Sequence, residues 1–433
     1  MTAPSPARLD PDLVSRLADW LVVAAAVTLP WSTSIFAICI AMWLLAWLSA
    51  RLLAARPGAG QGNGQESWQE SWQHLWQELQ QELLTPAGGL PVLLWVLAAV
   101  GMLWADVGWR DRFDGFGAFH RLLVIPLLLA QFRRSGRGSF VLYGFLASAA
   151  AVMAASYLMV LAPQLMWHAE VPGVPVRDDI FQNSMFSICA FALFGFACAR
   201  SRARDWRTGL AAAVLGALFL GNILFVFTSR VTLVVIPILV VALGFRQWRW
   251  TGLIAACAVG VAVAGIAWSA SPALRLRLAQ SVEEVRAYRA SNEATSIGLH
   301  TAFVQEALTI VRSAPILGHG TGSIPEQFRR ITADGDGASA VATVNPHNQT
   351  FAVAIQLGIV GALVLWAMWL AHLALFRGAD AVAWAGLVVV VENVVSSAAH
   401  SHLSDFANGW LYVLGVGVIG GMVRRRGEAA SRT

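Results

Sequence analysis

Residues 345–375 read NPHNQTFAVAIQLGIVGALVLWAMWLAHLAL, and this stretch decides the kind of fold that the chain can adopt. Its part from residue 351 onward contains no aspartate, glutamate or arginine. A helix needs about 20 apolar residues to cross a bilayer, so this run predicts a membrane span. The residues before it are polar and include His347. A titratable ring is therefore expected where a polar segment enters the membrane.

The composition of the whole chain agrees with a membrane protein. Of 433 residues, 57% are hydrophobic and 13% are charged, and the mean hydropathy is +0.61. A soluble protein has about a quarter charged residues. The net charge of +5 comes from arginines, most of them between apolar runs, and does not indicate nucleic-acid binding. The four cysteines lie in apolar runs without CxxC spacing, which predicts no disulfide or metal framework.

The hydropathy pattern predicts an all-α integral membrane protein with about twelve transmembrane helices. The predicted spans lie near residues 13–30, 32–54, 89–105, 116–132, 140–162, 180–199, 210–227, 231–245, 251–268, 351–375, 379–397 and 406–423. Residues 1–268 thus hold spans one to nine, residues 269–350 form one large polar helical loop, and residues 351–433 hold spans ten to twelve and a basic tail.

Alternate loops are rich in arginine, which predicts that these loops and both termini are cytoplasmic. The loop 269–350 then faces outward, which in a bacterium is the periplasm. A Gln-, Glu- and Trp-rich insertion near residues 60–88 falls on the cytoplasmic side. Its apolar residues recur at helical spacing within 65–84, which fits an interfacial helix. A poorly ordered connector is the alternative.

Two arginines are candidates for binding an anionic group. Arg230 lies between two apolar runs, where an unpaired arginine costs about 2–3 kcal/mol, so it should face a partner or a cavity. Its planar guanidinium suits phosphate oxygens, which makes a phosphate clamp the functional interpretation. A membrane-surface arginine is the alternative. Arg121 permits the same two interpretations, and a surface anchor is favoured.

Three further polar groups allow more than one interpretation. The loop Gly318–His319–Gly320–Thr321–Gly322 could hold an anion with its backbone N–H groups, but a tight turn is favoured. Asp334 and Asp336 could bind a divalent metal, and so could His400, His402 and Asp405, but solvated turns are favoured for both. We therefore expect no metal and no cofactor.

Several short motifs occur in an order that resembles the O-antigen ligase and O-antigen polymerase superfamily of bacterial envelope glycosyltransferases. They are Ser229–Arg230, the run SIGLH at 296–300, the run PILGHGTG at 315–322, and PHN at 346–348 followed by QLGIVG at 356–361. The similarity covers residues 221–365.

The resemblance implies a metal-independent, inverting transferase with an outward-facing site in the bacterial inner membrane. In the ligases of this superfamily, a glycan moves from undecaprenyl diphosphate to the lipid A core oligosaccharide of lipopolysaccharide. It implies that His347 is the essential histidine, with Asn348 beside it, and that Arg230 binds the diphosphate. The family often has arginine where this chain has His300, so Arg289 or Arg286 could supply a second cation. His319 and Arg121 are further candidates.

Two other functions remain open at this stage. A polymerase of the same superfamily joins one lipid-linked repeat to another, and the motifs do not separate it from a ligase. A transporter of the lipid-linked glycan is less favoured, because the chain shows no repeated halves and no helices broken near the midplane. Covalent catalysis is disfavoured as well, because no Gly-x-Ser-x-Gly nucleophile motif is present.

Overall fold

The computed structural model describes residues 10–54, 64–165, 172–176 and 178–431. Within these ranges the chain is helical and has no strand, as predicted. The longer α-helices are α1 Pro11–Thr28, α2 Thr33–Ala54, α3 Gly64–Leu83, α4 Pro86–Gly101, α5 Trp109–Gly117, α6 Val124–Arg134, α7 Gly138–Leu161, α8 Asp179–Arg202, α9 Trp206–Phe225, α10 Thr232–Ala270, α11 Pro272–Ser291, α12 Ser296–Ser313, α13 Ile324–Ile331, α14 Gln349–Leu375, α15 Ala381–Ser396, α16 Phe406–Leu414 and α17 Gly420–Ser431.

Shorter helical turns connect some of these elements. They are the 3₁₀ helices His120–Leu123, Pro163–Leu165 and Gly337–Ala340, and the π-helical turn Gly415–Ile419 that joins α16 to α17.

The number of spans is lower than the sequence pattern predicts. In the described residues, seven helices are long and apolar enough to cross a membrane, or up to nine if each bent pair counts as one span. The count of twelve is therefore not confirmed. Helix α1 carries Asp12, Arg16 and Asp19 within 18 residues, and α15 has only 16 residues. Two other predicted spans fall on the single element α10.

Helix α10 is broken at Trp248 and Arg249, where the backbone leaves the helical region and Arg249 has φ +54°. A Cβ added to Gly252 would overlap the carbonyl oxygen of Gly244, so these residues on either side of the break are in close contact. The two halves therefore run back along each other. The apolar runs 231–245 and 251–268 correspond to these halves.

Helix α3, the predicted interfacial helix, is present and lies at 92° to α4, measured from its residues Leu75–Leu83. Its buried Glu78 pairs with Arg51 at 3.1 Å. Its buried Glu82 pairs with Arg133 at 3.0 Å and also with Arg424. A buried carboxylate is tolerated only when it is paired. These ion pairs therefore join α3 to the ends of α2, α6 and α17.

The polar segment between α10 and α14 contains three α-helices, of which α12 and α13 pack on the beginning of α14. Phe303 and Ala307 of α12, Phe328 of α13, and Ala352 and Ile355 of α14 belong to one small apolar core. This core is separate from the large core of the membrane helices. It places α12 beside the end of α14 that follows His347.

Helix α14 is interrupted at Gly358, whose φ of +61° is unfavourable for any residue with a Cβ. The break frees backbone groups that the loop after α12 uses. His319 N donates to Ile355 O at 2.8 Å and Gly320 N to Gln356 O at 2.9 Å, and Ile359 N donates to Pro315 O at 2.8 Å. The polar segment between α10 and α14 is thus joined to α14 through its backbone.

We predict that Gly358→Ala destabilises the protein by about 1–3 kcal/mol from backbone strain alone. An added Cβ would also overlap the carbonyl of Ile316. Gly117→Ala is the matched control, because a Cβ there has no heavy atom within 4 Å. Thermal unfolding of both variants in detergent measures the effect, and equal midpoints would contradict this account of the break.

Candidate active site

His347 lies in a turn whose backbone is held by local hydrogen bonds. Asn345 Oδ1 accepts from His347 N at 2.9 Å, and the Asn348 side chain caps α14 by accepting from Phe351 N at 3.1 Å. Asn348 Nδ2 also donates to Ala398 O at 3.0 Å, so the turn is attached to the end of α15. His347 itself has φ +51°, a left-handed conformation that is strained for histidine. Such strain persists where the surrounding contacts determine a position.

Three imidazole rings meet beside this turn, although they come from distant parts of the chain. The His347 ring centroid lies 4.9 Å from that of His300 on α12 and 6.0 Å from that of His400, which follows α15. The His300 and His400 centroids are 6.3 Å apart. The His347 ring is also stacked on Phe303, with the ring centroids 6.0 Å apart. We call His300, His347 and His400 the histidine cluster.

Burial favours the neutral form of all three rings. Burial, and then the nearby His300, lowers the pKa of His347. Burial and the charge of Arg230 lower the pKa of His300. Burial, with His347 and His300 close by, lowers the pKa of His400 to about 4. His347 Nδ1 is buried without a hydrogen-bond partner in the described part of the chain. His347 is therefore a neutral base at neutral pH.

Arg230 is held by a carboxylate and a hydroxyl. Its Nη1 donates to Glu284 Oε2 at 3.1 Å and to Ser296 Oγ at 3.2 Å, and its Nη2 donates to Glu284 Oε1 at 2.6 Å. Glu284 also accepts from Ile297 N at 3.0 Å. The ion pair thus joins the turn before α10 to α11 and to the first turn of α12, the helix that carries His300.

The structure brings together three of the predicted residues, namely His347, His300 and Arg230. Arg286 and Arg289 are exposed on α11, and Arg286 pairs with Glu283 at 3.4 Å. Two residues that the sequence interpretation missed lie at the site. Glu284 gave no signal that distinguishes it from other acids on α11, whereas His400 was noticed and taken for part of a solvated turn.

The expectation of a solvated turn at His400, His402 and Asp405 is wrong for His402, which is only 1% exposed. Burial, and then the nearby His400, lowers the pKa of His402 to about 3. Neither ring nitrogen of His402 has a hydrogen-bond partner among the described residues. The His402 ring centroid lies 6.2 Å from that of His400, so this buried ring adjoins the histidine cluster.

The glycine-rich loop uses its N–H groups within the protein. His319 and Gly320 donate to α14 as described above, Thr321 N donates to Gly101 O at 3.1 Å, and Gly322 N donates to Gln356 Oε1 at 2.8 Å. The His319 ring nitrogen Nε2 lies 3.1 Å from Ile310 O on α12. These contacts favour the tight-turn interpretation of the loop.

Arg121 lies in the 3₁₀ helix before α6 and bonds to the chain just before α16. Its Nη1 donates to the carbonyl oxygens of Asp405 and Phe406, the latter at 3.2 Å. Arg121 therefore supports the segment that carries His400 and His402, and this contact differs from the predicted anchor at the membrane surface.

The fold and the site define a class: a multi-pass helical membrane protein with a neutral histidine and an ion-paired arginine at one end of its helices. Residues 215–366 match the family model described as O-antigen ligase. The resemblance found in the sequence is therefore confirmed over this part of the chain. Proteins of this family are glycosyltransferase-like enzymes of lipopolysaccharide synthesis. The matched range includes Arg230, Glu284, His300 and His347. No curated protein matches the chain.

We predict that the protein loses stability as the pH falls from 6.5 to 5, and that His402 contributes to this loss. An unfolded histidine has a pKa near 6.5. Since burial keeps His402 neutral in the fold, the unfolded state binds more protons in this range. Protonation of this residue therefore lowers the free energy of unfolding by about 2 kcal/mol at pH 5. Thermal unfolding of the wild type and His402→Phe at several pH values measures the difference, and parallel curves would contradict it.

Proposed function

We propose that this protein is an O-antigen ligase, an inverting glycosyltransferase of the bacterial inner membrane. It transfers a glycan from undecaprenyl diphosphate to the lipid A core oligosaccharide, at a site that faces the periplasm. The observation that carries the proposal is the arrangement of His347, His300 and Arg230 within the matched O-antigen ligase domain. The activity requires a base and a cation that can hold a diphosphate, and these residues supply both.

The reaction is a direct displacement at the anomeric carbon. His347 accepts the proton of the acceptor hydroxyl while the hydroxyl oxygen forms the new glycosidic bond. The bond from the anomeric carbon to the diphosphate oxygen breaks, and the electron pair stays on the leaving diphosphate. A base whose neutral form is present at pH 7 suits this step, and general base catalysis contributes about 10²–10⁴ in rate. Arg230 stabilises the charge that develops on the diphosphate.

The resting arrangement of Arg230 requires an exchange when the donor binds. A guanidinium has five N–H donors. Three hydrogen bonds to Glu284 and Ser296 occupy both of its terminal nitrogens. Its Nε is buried without a partner among the described residues. The pair of terminal nitrogens that could bind two phosphate oxygens is therefore already bonded to the Glu284 carboxylate. A bound diphosphate must displace this carboxylate or share the Arg230 guanidinium with it.

The charge of His300 depends on whether the donor diphosphate is bound. Without a ligand, burial and Arg230 lower the pKa of His300 and favour the neutral ring. A bound diphosphate brings negative charge, which stabilises the protonated imidazole and raises that pKa again. His300 can then contribute the second positive charge that arginine supplies in many family members.

We predict that Glu284→Gln lowers the donor KM by about threefold to tenfold. The amide removes the negative charge that competes with the diphosphate, and its oxygen can still accept from Arg230 or from Ile297 N, as Glu284 does in the structure. Kinetics with undecaprenyl-diphosphate glycan measure the change. Glu283→Gln is the matched control, because this neighbour is exposed and pairs with Arg286. A higher KM in Glu284→Gln would mean that the carboxylate only orients Arg230.

We predict that His347→Ala inserts into the membrane but loses transfer by at least about 10²-fold, because it removes the base. The measurement is transfer by the purified, reconstituted protein from undecaprenyl-diphosphate glycan to rough lipopolysaccharide, followed on gels. His120→Ala is the control, since His120 is exposed and packs on Phe116. Full transfer by His347→Ala would exclude His347 as the base.

The same assay separates the alternatives by their products. A ligase extends lipid A core, a polymerase instead joins two lipid-linked repeats, and a transporter forms no new glycosidic bond.

A further inference from the structure

A cavity lies close to the turn that carries His347. Its volume is about 500 Å³, within the range of small-ligand pockets. It is enclosed by α5, the following 3₁₀ helix, the beginning of α13, the first turns of α14 and the segment before α16. Its polar lining residues are Asp111, Asp114, Arg121, Gln349, Gln356 and Ser404. Nothing in the proposed mechanism uses this space so far.

The cavity and the histidine cluster are built from the same two segments of the chain. Val344 and Gln349, on either side of His347, line the cavity, and so do Leu403 and Ser404, which follow His402. Gln349 Oε1 accepts from Leu403 N at 2.8 Å, which ties the two segments together. The cavity thus adjoins the turn that carries the candidate base.

The residues that line the cavity do not suit the donor diphosphate. Asp111 and Asp114 bring two carboxylates, whereas Arg121 brings one guanidinium whose Nη1 already serves two carbonyl oxygens. Arg230 and Glu284 are not lining residues. A phosphate would be repelled by the carboxylates, but the hydroxyl groups of a sugar can donate hydrogen bonds to them. Apolar side chains such as Phe119 and Leu403 complete the walls and can contact the faces of sugar rings.

We propose that this cavity binds neutral, hydroxyl-rich terminal sugar units of the acceptor glycan and directs one hydroxyl toward His347. The inference rests on the proposed transferase function and adds to it the place of the acceptor. The donor headgroup then lies on the Arg230 side of the histidine cluster, and the acceptor lies on the side of Gln349 and Ser404.

Ala118→Trp tests the proposal, because Ala118 lines the cavity and a large side chain there fills it. The probe is the oligosaccharide released from rough lipopolysaccharide, and its binding to the purified, reconstituted full chain is measured by calorimetry. We expect at least a tenfold weaker affinity than for the wild type. Inorganic pyrophosphate, which represents the donor headgroup, should bind equally to both proteins. Equal oligosaccharide affinity, or no binding to the wild type, would overturn the proposal.

A second variant tests the same proposal without adding a large side chain that could disturb folding. Asp111→Asn with Asp114→Asn leaves the shape of the cavity unchanged and removes two acceptor charges from exposed positions. We expect the acceptor KM to rise about tenfold, or 1.4 kcal/mol, with an unchanged donor KM. Asp106→Asn is the matched control, because Asp106 is exposed, pairs with Arg330 and does not line the cavity.

The two arms separate the two proposals. If the wild type transfers glycan and the double variant keeps its acceptor KM, the cavity is not the acceptor site and the ligase function stands. If the wild type does not transfer glycan to rough lipopolysaccharide, the ligase function fails, and the oligosaccharide titration with Ala118→Trp still decides whether the cavity binds sugar.

Discussion

The structure of the site depends on the backbone pairing between the loop after α12 and the break in α14. At Gly358 the backbone hydrogen bonds within α14 are interrupted. The loop after α12 pairs with the backbone N–H and C=O groups that are left free. Buried backbone groups must be paired, so the break and the loop require each other. Because α12 precedes this loop and His347 precedes α14, the pairing fixes His300 relative to His347. Only glycine has the conformational freedom that this break needs.

Arg230 shows how the rest of the polar segment between α10 and α14 is attached to the membrane helices. Its ion pair with Glu284 and its bond to Ser296 connect the start of α10 to α11 and α12. A partly buried arginine needs such partners, because an unpaired charge there is costly. A diphosphate that enters the site therefore has to compete with a contact that also holds helices together. In the proposed reaction, donor binding and the position of α11 are coupled through Arg230.

The sequence was sufficient to predict the helical membrane class and the O-antigen ligase resemblance, and it gave Arg230, His300 and His347 as candidate site residues. Each of these follows from composition or from motifs that are local in the chain. The number of spans was not predictable to the same degree, because hydropathy does not show where a helix bends, as at the 43° bend between Trp109–Gly117 and the helix that follows it. Glu284 and His400 were also out of reach, since their roles arise from contacts between residues far apart in sequence. His402 looks solvated by its polar neighbours, and only packing buries it.

The electrostatic state of the site links these observations. In the ligand-free protein, burial keeps the imidazoles neutral and the charge of Arg230 is balanced by Glu284. A permanent second cation beside Arg230 would need a second partner, because unpaired like charges in a half-buried site are unfavourable. In the proposed reaction a histidine at position 300 avoids that requirement, since burial and Arg230 favour its neutral form and a bound diphosphate favours its charged form. The neutral His347 stays available as a base under the same conditions, so one feature, burial of the histidine cluster, serves both donor binding and proton transfer in the proposed reaction.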